Sequence, residues 1–556
     1  MKKVLVAFGL ILILIMALFL RGYGLEKSPI SINWDEASLG YNAYCLLTTG
    51  KDEYGKSWPL SIRSFNDYKP ALYSVLTVPF VKAWGLNQGS TRAVSAVAGT
   101  FSVLGLWLLL STWVKKPVLR LMVLFFLALE PWRIHFSRTA LETNLSAAFF
   151  IFGAWCLFRA RRDEKRFDWK WLTASMVPLV LSAYSYHSAR LAVPLLLALV
   201  LFDPLSWFWK TRVVDIVRKL PRLFWIVLFV ILLIPVFSNS GGREVMTRFR
   251  QENVFVRFSP FAPSELFNNN LISWLRISPV YYFLGIILGH FSAYFSPVNF
   301  STNIFLWVRK SVQYIPEFNL FGWLEIFFLI MGLIMLVKNI KKFNYRYFFY
   351  WILAGAAPAA LTWNWFHSLR VLNALPAVEI IIVWGFLFVV NRLLKGRKWL
   401  AILLGVAFIW QSIFIINNEF VYAVWENHGE YQPGGFKEGI PLLMSMLKDY
   451  DQVIIDSPHA QSYIFFLFYG AYNPKAIQSY APTRVKASDE GSWDFDFDKF
   501  KFRKINWYED NKLTKTILWM PATTNQDEID KTPNAKAYYL KNPVKPYNSS
   551  VMVTLD

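Results

Sequence analysis

Residues 4–20 read VLVAFGLILILIMALFL, seventeen uncharged and mostly apolar residues between Lys2-Lys3 and Arg21. A bilayer core of ~30 Å needs about 20 apolar residues, fewer where flanking side chains snorkel. The run is longer than the apolar region of a typical signal peptide. Arg21-Gly22-Tyr23 follows it where a cleavage site would need small residues. It therefore reads as a transmembrane helix with its N-terminus inside. Comparable stretches recur at 92–113, 118–131, 142–158, 171–187, 190–206, 223–238, 319–337, 346–362, 370–390 and 398–417, so about 11 transmembrane helices are expected.

The charges test that count. The chain has 556 residues with 58 Lys and Arg against 37 Asp and Glu. An excess of that size suits a nucleic-acid binder, but 55% apolar residues do not suit a soluble one. The excess lies mainly in alternate links. Lys2/Lys3, 115–120, 159–170, 203–222, 338–346 and 392–398 hold 24 basic and five acidic residues. That alternation is the positive-inside pattern, and it makes the N-terminus cytoplasmic. The localisation expected is an integral, multi-pass plasma (inner) membrane protein, with no nucleic-acid partner. Ser278–Phe295 is apolar, but as a span it would put every later basic link outside. It reads instead as an interfacial or re-entrant helix.

Residues 1–417 thus form a transmembrane domain with long external loops at about 21–91 and 239–318. Residues 418–556 form a C-terminal extracytoplasmic domain. There Val453-Ile454-Ile455 reads as a buried strand, Gln461–Tyr469 as a helix and Thr516–Trp519 as a second strand, a small α/β domain in sum. Cys45 and Cys156 fall at different depths, which does not suit a bridge.

The polar groups of the external links carry the chemistry. Asn33-Trp34-Asp35-Glu36 follows the first helix, and Asp67-Tyr68-Lys69-Pro70 comes late in the same loop. An acidic pair at a helix start is a capping arrangement or a base for an acceptor hydroxyl. In 131–142, Arg138 and Glu142 would share a face at i, i+4 if the stretch is helical. Arg190 and Arg370, with His367, open two further spans on the same side. Basic groups converging at that depth suit a lipid-linked phosphate. Glu130, Glu325 and Glu379 lie in or near spans, where a carboxylate is costly unless protonated or paired. Most of the 25 Trp read as interface residues, with Trp34 and Trp363 set apart as candidate sugar platforms.

These segments carry a resemblance. WDEASLGYNAY (34–44) and DYKPALYSVLTVPF (67–80) look like the first external loop of GT-C glycosyltransferases. FSRTALETN (136–144) resembles their second loop, and HSLRVLNALPAVE (367–379) a late helix. The nearest group is glycosyltransferase family 39, with the protein O-mannosyltransferases and the lipid A 4-amino-arabinose transferases. The resemblance covers residues 1–417 and implies a GT-C fold. It also implies a polyprenyl-phosphate sugar donor and an acceptor glycan, lipid or protein on the outer face. Asp35 matches the catalytic carboxylate, with Glu36 beside it. Lys69 matches the lysine that approaches the donor phosphate, and Arg138 and Glu142 match the second-loop basic–acidic pair. Glu142 departs from the Asp of many relatives, and Leu39 stands where an aromatic is often found. Catalysis is then expected from Asp35, Glu36 and Glu142, and donor-phosphate binding from Lys69, Arg138, Arg190, His367 and Arg370. No cofactor and no metal are expected. A lipid-linked saccharide transporter or a non-catalytic scaffold are the alternatives; a transporter would show related halves, and none is visible.

Overall fold

The structure is a computed structural model. It describes all residues except 1, 31, 66, 162–166, 207–221, 238–284, 286, 294–319, 363–366, 394, 396, 423–434, 457–460, 481–494, 524–525 and 543–546. Each expected span is helical. The helices are α1 (Lys2–Gly22), α4 (Gln88–Trp113), α5 (Pro117–Ala128), α7 (Glu142–Ala160), α8 (Trp169–Ser185) and α9 (His187–Phe202). They continue with α10 (Leu223–Phe237), α11 (Trp323–Asn339), α12 (Phe343–Ala360), α13 (Leu375–Phe388) and α14 (Lys398–Asn417). Among the described residues six helical stretches are both long and apolar enough to cross a bilayer: 3–22, 88–113, 142–160, 187–206, 368–392 and 399–421. The chain is an integral, multi-pass membrane protein.

The helices sort by what they bury. On α1 the side chains of Val4, Leu5, Phe8, Ile11 and Ile15 are exposed, as are Ile402, Val406, Ile409 and Ile413 on α14. Such apolar faces fit the hydrocarbon of a membrane. By contrast, α13 is buried on every side from Leu375 to Gly385. It can sit that deep because it meets α11 through glycine. A Cβ on Gly332 would strike the Ile381 carbonyl, and one on Gly385 the Phe328 carbonyl. Small residues bring two backbones together in this way. Gly385→Leu is therefore expected to destabilise the bundle by about 1–3 kcal/mol or more, as overpacked cores are. A lower melting temperature in detergent would show it, and an unchanged one would refute it.

One end of the bundle is tied by charge. Asp203 caps α9 in a left-handed conformation with φ of 50°. It binds Arg161 at 2.9 Å and Arg346 at 2.8 Å, and accepts from Tyr350 at 2.8 Å. The ends of α7, α9 and α12 are joined there.

The first loop is built at the other end. It contains α2 (Trp34–Thr49), an antiparallel hairpin of β1 (Ser61–Ser64) and β2 (Asp67–Pro70), and α3 (Leu72–Trp84). The short link expected after α5 is instead a buried helix, α6 (Pro131–Arg138), all eight of whose residues are buried. The i, i+4 pairing of Arg138 with Glu142 is not formed. Thr139 and Leu141 are extended, so one helix stops at Arg138 and the next starts at Glu142.

Of the expected interfacial segment 278–295, the described residues 285 and 287–293 are helical. His290 is buried there, with Nδ1 3.1 Å from the Ala360 carbonyl. The rest of that segment, most of the expected 239–318 loop and Trp363 lie outside the described residues.

After α14 come α15 (Phe436–Met446), β3 (Gln452–Ile455), α16 (Tyr463–Tyr469), α17 (Pro474–Ser479), β4 (Phe500–Phe502), β5 (Thr516–Pro521), β6 (Ala535–Lys541) and β7 (Asn548–Leu555). The strands form one mixed sheet in the order β4-β3-β5-β7-β6, parallel across β4, β3 and β5 and antiparallel beyond. This is the small α/β unit expected, but its core is not closed on itself. Phe436, Ile440, Tyr463, Phe466 and Trp519 share one apolar cluster with Ile32, Ala37, Tyr41, Cys45 and Phe65 of the first loop. Tyr41 also donates to the Tyr472 carbonyl at 2.9 Å, and Lys437 to the Glu26 carbonyl at 2.9 Å.

Candidate functional site

Asn33 starts α2. Its side chain accepts from the Glu36 amide, and Glu36 accepts in return from the Asn33 amide, a reciprocal cap. Capping is thus done by Asn33 and Glu36, and Asp35 takes no part in it. Asp35 points out of the first turn with its side chain 47% exposed, and it is ion-paired with Lys69 of β2. The lysine is almost wholly buried and also lies 5.6 Å from the centre of the Phe65 ring. The hairpin delivers it, because β2 pairs with β1 and turns Lys69 toward the start of α2.

Glu36 has a different environment. It is fully buried, held by Arg92 Nε at 2.9 Å and Nη2 at 3.1 Å, and accepts from the Ala140 amide at 2.6 Å. Arg92 Nη1 donates to the carbonyls of Leu25 and Pro29, both at 2.7 Å. Glu36 therefore locks the start of α2 onto α4 and the α6–α7 junction. It is closed off from solvent in this arrangement.

Arg138 is also built in. It donates to the carbonyls of Leu20 and Ser28, both at 2.8 Å, lies 3.5 Å from Glu419 and stacks 4.2 Å from the Phe420 ring centre. Burial pulls it down to about 10, while Glu419 opposes that shift. It still carries its charge at neutral pH, but that charge is spent on Glu419 and on carbonyls. Glu419 is bound from its other side by His135 Nδ1 at 3.0 Å.

Arg190 is the counterexample. Its Nε donates to the Ala183 carbonyl at 3.3 Å, and its Nη1 and Nη2 are buried without a hydrogen-bond partner among the described residues. The neighbouring His187 places Nε2 2.9 Å from the carbonyl of Tyr68, next to Lys69. Ser188 accepts from Asn373 at 3.3 Å, which ties the start of α9 to the segment carrying His367 and Arg370. Burial, with the Arg370 charge adding to it, pushes His367 down to about 3, so the imidazole is neutral at neutral pH. Glu142 is buried at the first position of α7.

The structure thus brings Asp35 and Lys69 into contact and links Lys69's strand to the α8–α9 junction that bears Arg190. It separates Glu36 and Arg138 from that opening. Two buried pairs were not anticipated as such: Arg92 with Glu36, and Arg133 with Glu379. Arg133 binds Glu379 through Nε and Nη2, both at 2.5 Å, and Trp132 donates to it at 3.2 Å. The signal was an arginine within or beside an apolar run, which needs a partner. Glu325 has a partner too, Gln411, whose amide donates at 2.8 Å.

These features define a helical membrane core whose first loop presents a carboxylate and a lysine at one mouth. Solved structures share the overall fold. ArnT from Cupriavidus metallidurans bound to undecaprenyl phosphate matches with a TM-score of 0.52 at 12% identity, over 99% of this chain and 98% of that one. Its apo state matches with a TM-score of 0.51 at 13% identity, over 98% and 97%. The oligosaccharyltransferase AglB from the archaeon Archaeoglobus fulgidus, in complex with an inhibitory peptide and a dolichol-phosphate, matches with a TM-score of 0.51 at 13% identity. That match covers 82% of this chain, which spans only 62% of the length of the oligosaccharyltransferase. No protein-family model and no curated protein sequence matches the chain. At these identities the likeness shows the fold.

Proposed function

We propose that the chain is a membrane glycosyltransferase of the family 39 type, moving a sugar from a polyprenyl-phosphate donor to an acceptor on the outer face. The observation that carries this reading is the Asp35–Lys69 pair, a half-exposed carboxylate joined to a buried lysine at the mouth of the fold. In the proposed reaction Asp35 takes the proton of the acceptor hydroxyl. The acceptor oxygen bonds to the anomeric carbon from the face opposite the phosphate. The bond from that carbon to the phosphate oxygen breaks, and polyprenyl phosphate leaves with the electron pair. The product is inverted. Such a leaving group needs a base for the nucleophile and cations for the departing charge.

Lys69 and Arg190 supply that positive charge in this reading, with Arg370 as a further cation and neutral His367, next to Arg370, as a hydrogen-bonding helper. The two buried nitrogens of Arg190 support its assignment, because a guanidinium fork suits phosphate oxygens. Glu142 is kept as an acid near the site. Glu36 and Arg138 move from direct contact to bracing, because both are buried and held by Arg92, Glu419 and backbone groups. The positive-inside pattern places the Asp35 end outside and residues 418–556 with it.

The test is turnover in detergent with undecaprenyl-phosphate sugars and a panel of hydroxyl acceptors. Release of undecaprenyl phosphate together with a glycosylated acceptor is expected, and it should persist in a strong chelator because the proposed reaction uses no metal. Movement of intact donor across vesicles without release would point to a transporter and overturn the reading.

A further inference from the structure

The first turn of α2 has an unusual surface. Residues 36–43 are all buried, so Trp34 and Asp35 are the only side chains that α2 opens to the outside before the partly exposed Tyr44 and the exposed Leu47. Leu47 lies twelve residues further on, about 18 Å along the helix. Trp34 is 39% exposed. Among the described residues no other ring packs on it.

Exposed tryptophans in a membrane protein usually belong to its interface belt. Among the described residues the other exposed ones on helices behave that way, while Trp58 lies in the first loop outside any helix. Trp399 and Trp410 share α14 with exposed Ile402, Val406 and Ile409, Trp84 shares α3 with Leu76, and Trp169 shares α8 with Val177. Each continues an exposed apolar face of its helix. Trp34 continues none, since its helix goes straight into the interface with α4 and the C-terminal sheet domain. Its one exposed neighbour on that helix turn is a carboxylate.

We infer that Trp34 is the acceptor platform, and that the acceptor is a carbohydrate. The inference rests on the transferase reading above. An indole face offers a large, rigid, apolar surface with little conformational freedom to lose. The C–H face of a sugar ring lies flat on such a surface while its rim of hydroxyls stays free to hydrogen-bond. A ring seated on Trp34 presents a hydroxyl to the adjacent Asp35. A serine or threonine side chain in a peptide has no such face to seat.

The experiment uses the full chain in detergent with undecaprenyl-phosphate sugars as donor. A panel of methyl glycosides and a Ser/Thr-rich peptide serve as probe acceptors. Trp34→Leu is expected to raise the KM for the glycosides about 10-fold, the scale of one aromatic stacking contact, with the donor KM unchanged. Trp34→Phe keeps a ring and is expected to recover most of that loss. Leu performing as well as Phe would make Trp34 a belt residue and overturn the inference. So would a matching rise in donor KM, which signals a structural role, or transfer to the peptide in place of the glycosides. Absence of donor turnover in the unmutated chain would remove the transferase reading, and this inference with it.

Discussion

Asp35→Asn is expected to reduce sugar transfer by about 10²–10⁴-fold, the usual contribution of a positioned general base, while the protein stays folded. The second half of that expectation comes from the geometry. Asp35 does not cap α2, since Asn33 and Glu36 do that, and its side chain is half exposed. Asparagine has nearly the same shape, so the helix start and the packing behind it have no reason to change. What is lost is the capacity to take a proton, together with the charge that holds Lys69. The loss should fall on kcat more than on donor KM, because Lys69 and Arg190 remain to meet the phosphate. Turnover within a few-fold of the unmutated chain, at equal expression and equal melting temperature, would remove Asp35 from the proposed mechanism.

Arg92→Ala should act in the opposite manner, through the fold first. Both Arg92 and Glu36 are inaccessible, and the arginine also satisfies the carbonyls of Leu25 and Pro29. Removing it leaves a buried carboxylate with no cation facing it. Breaking one side of such a pair costs about 3–5 kcal/mol, a large part of the stability of most domains. Folded yield in detergent should fall steeply, and any surviving protein should transfer poorly because the first turn of α2 is no longer fixed. The double variant Arg92→Met with Glu36→Gln removes both charges together and should recover much of the folded yield. If Arg92→Ala is as stable as the unmutated chain, the bracing role given to this pair is wrong.

The bundle was legible from sequence because each span is an apolar run bounded by basic links, and lipid demands both. The start of α2 was legible because the Asp35-Glu36 pair marks a helix start, although the cap itself is made by Asn33 and Glu36. The strands at 453–455 and 516–519 could be read because they are short apolar runs. β7 escaped notice because it opens on Asn548-Ser549-Ser550, and β6 because Lys536 and Lys541 interrupt it. The roles of Glu36 and Arg138 were not legible at all. Their partners, Arg92, Ala140, Leu20, Ser28 and Glu419, lie far along the chain, and no local pattern reveals that a charge is already satisfied. Arg190 shows the reverse case: its value as a candidate appears only once its two nitrogens are seen buried without a hydrogen-bond partner among the described residues.

The apolar cluster that joins α2 to the C-terminal sheet domain has a consequence in time. Gly40 sits where a Cβ would strike both Thr91 of α4 and Phe468 of α16, so the helix bearing Asp35 is wedged between an early element and a very late one. About 380 residues separate the two sides of that wedge, and a ribosome working at about 5–20 residues per second needs roughly 20–75 s to supply the second. During that interval the spans can enter the membrane in order while one side of α2 has nothing to rest on. The first turn of that helix is already held by Arg92, Ala140 and Lys69, but its other face is covered only once the residues around Phe468 arrive.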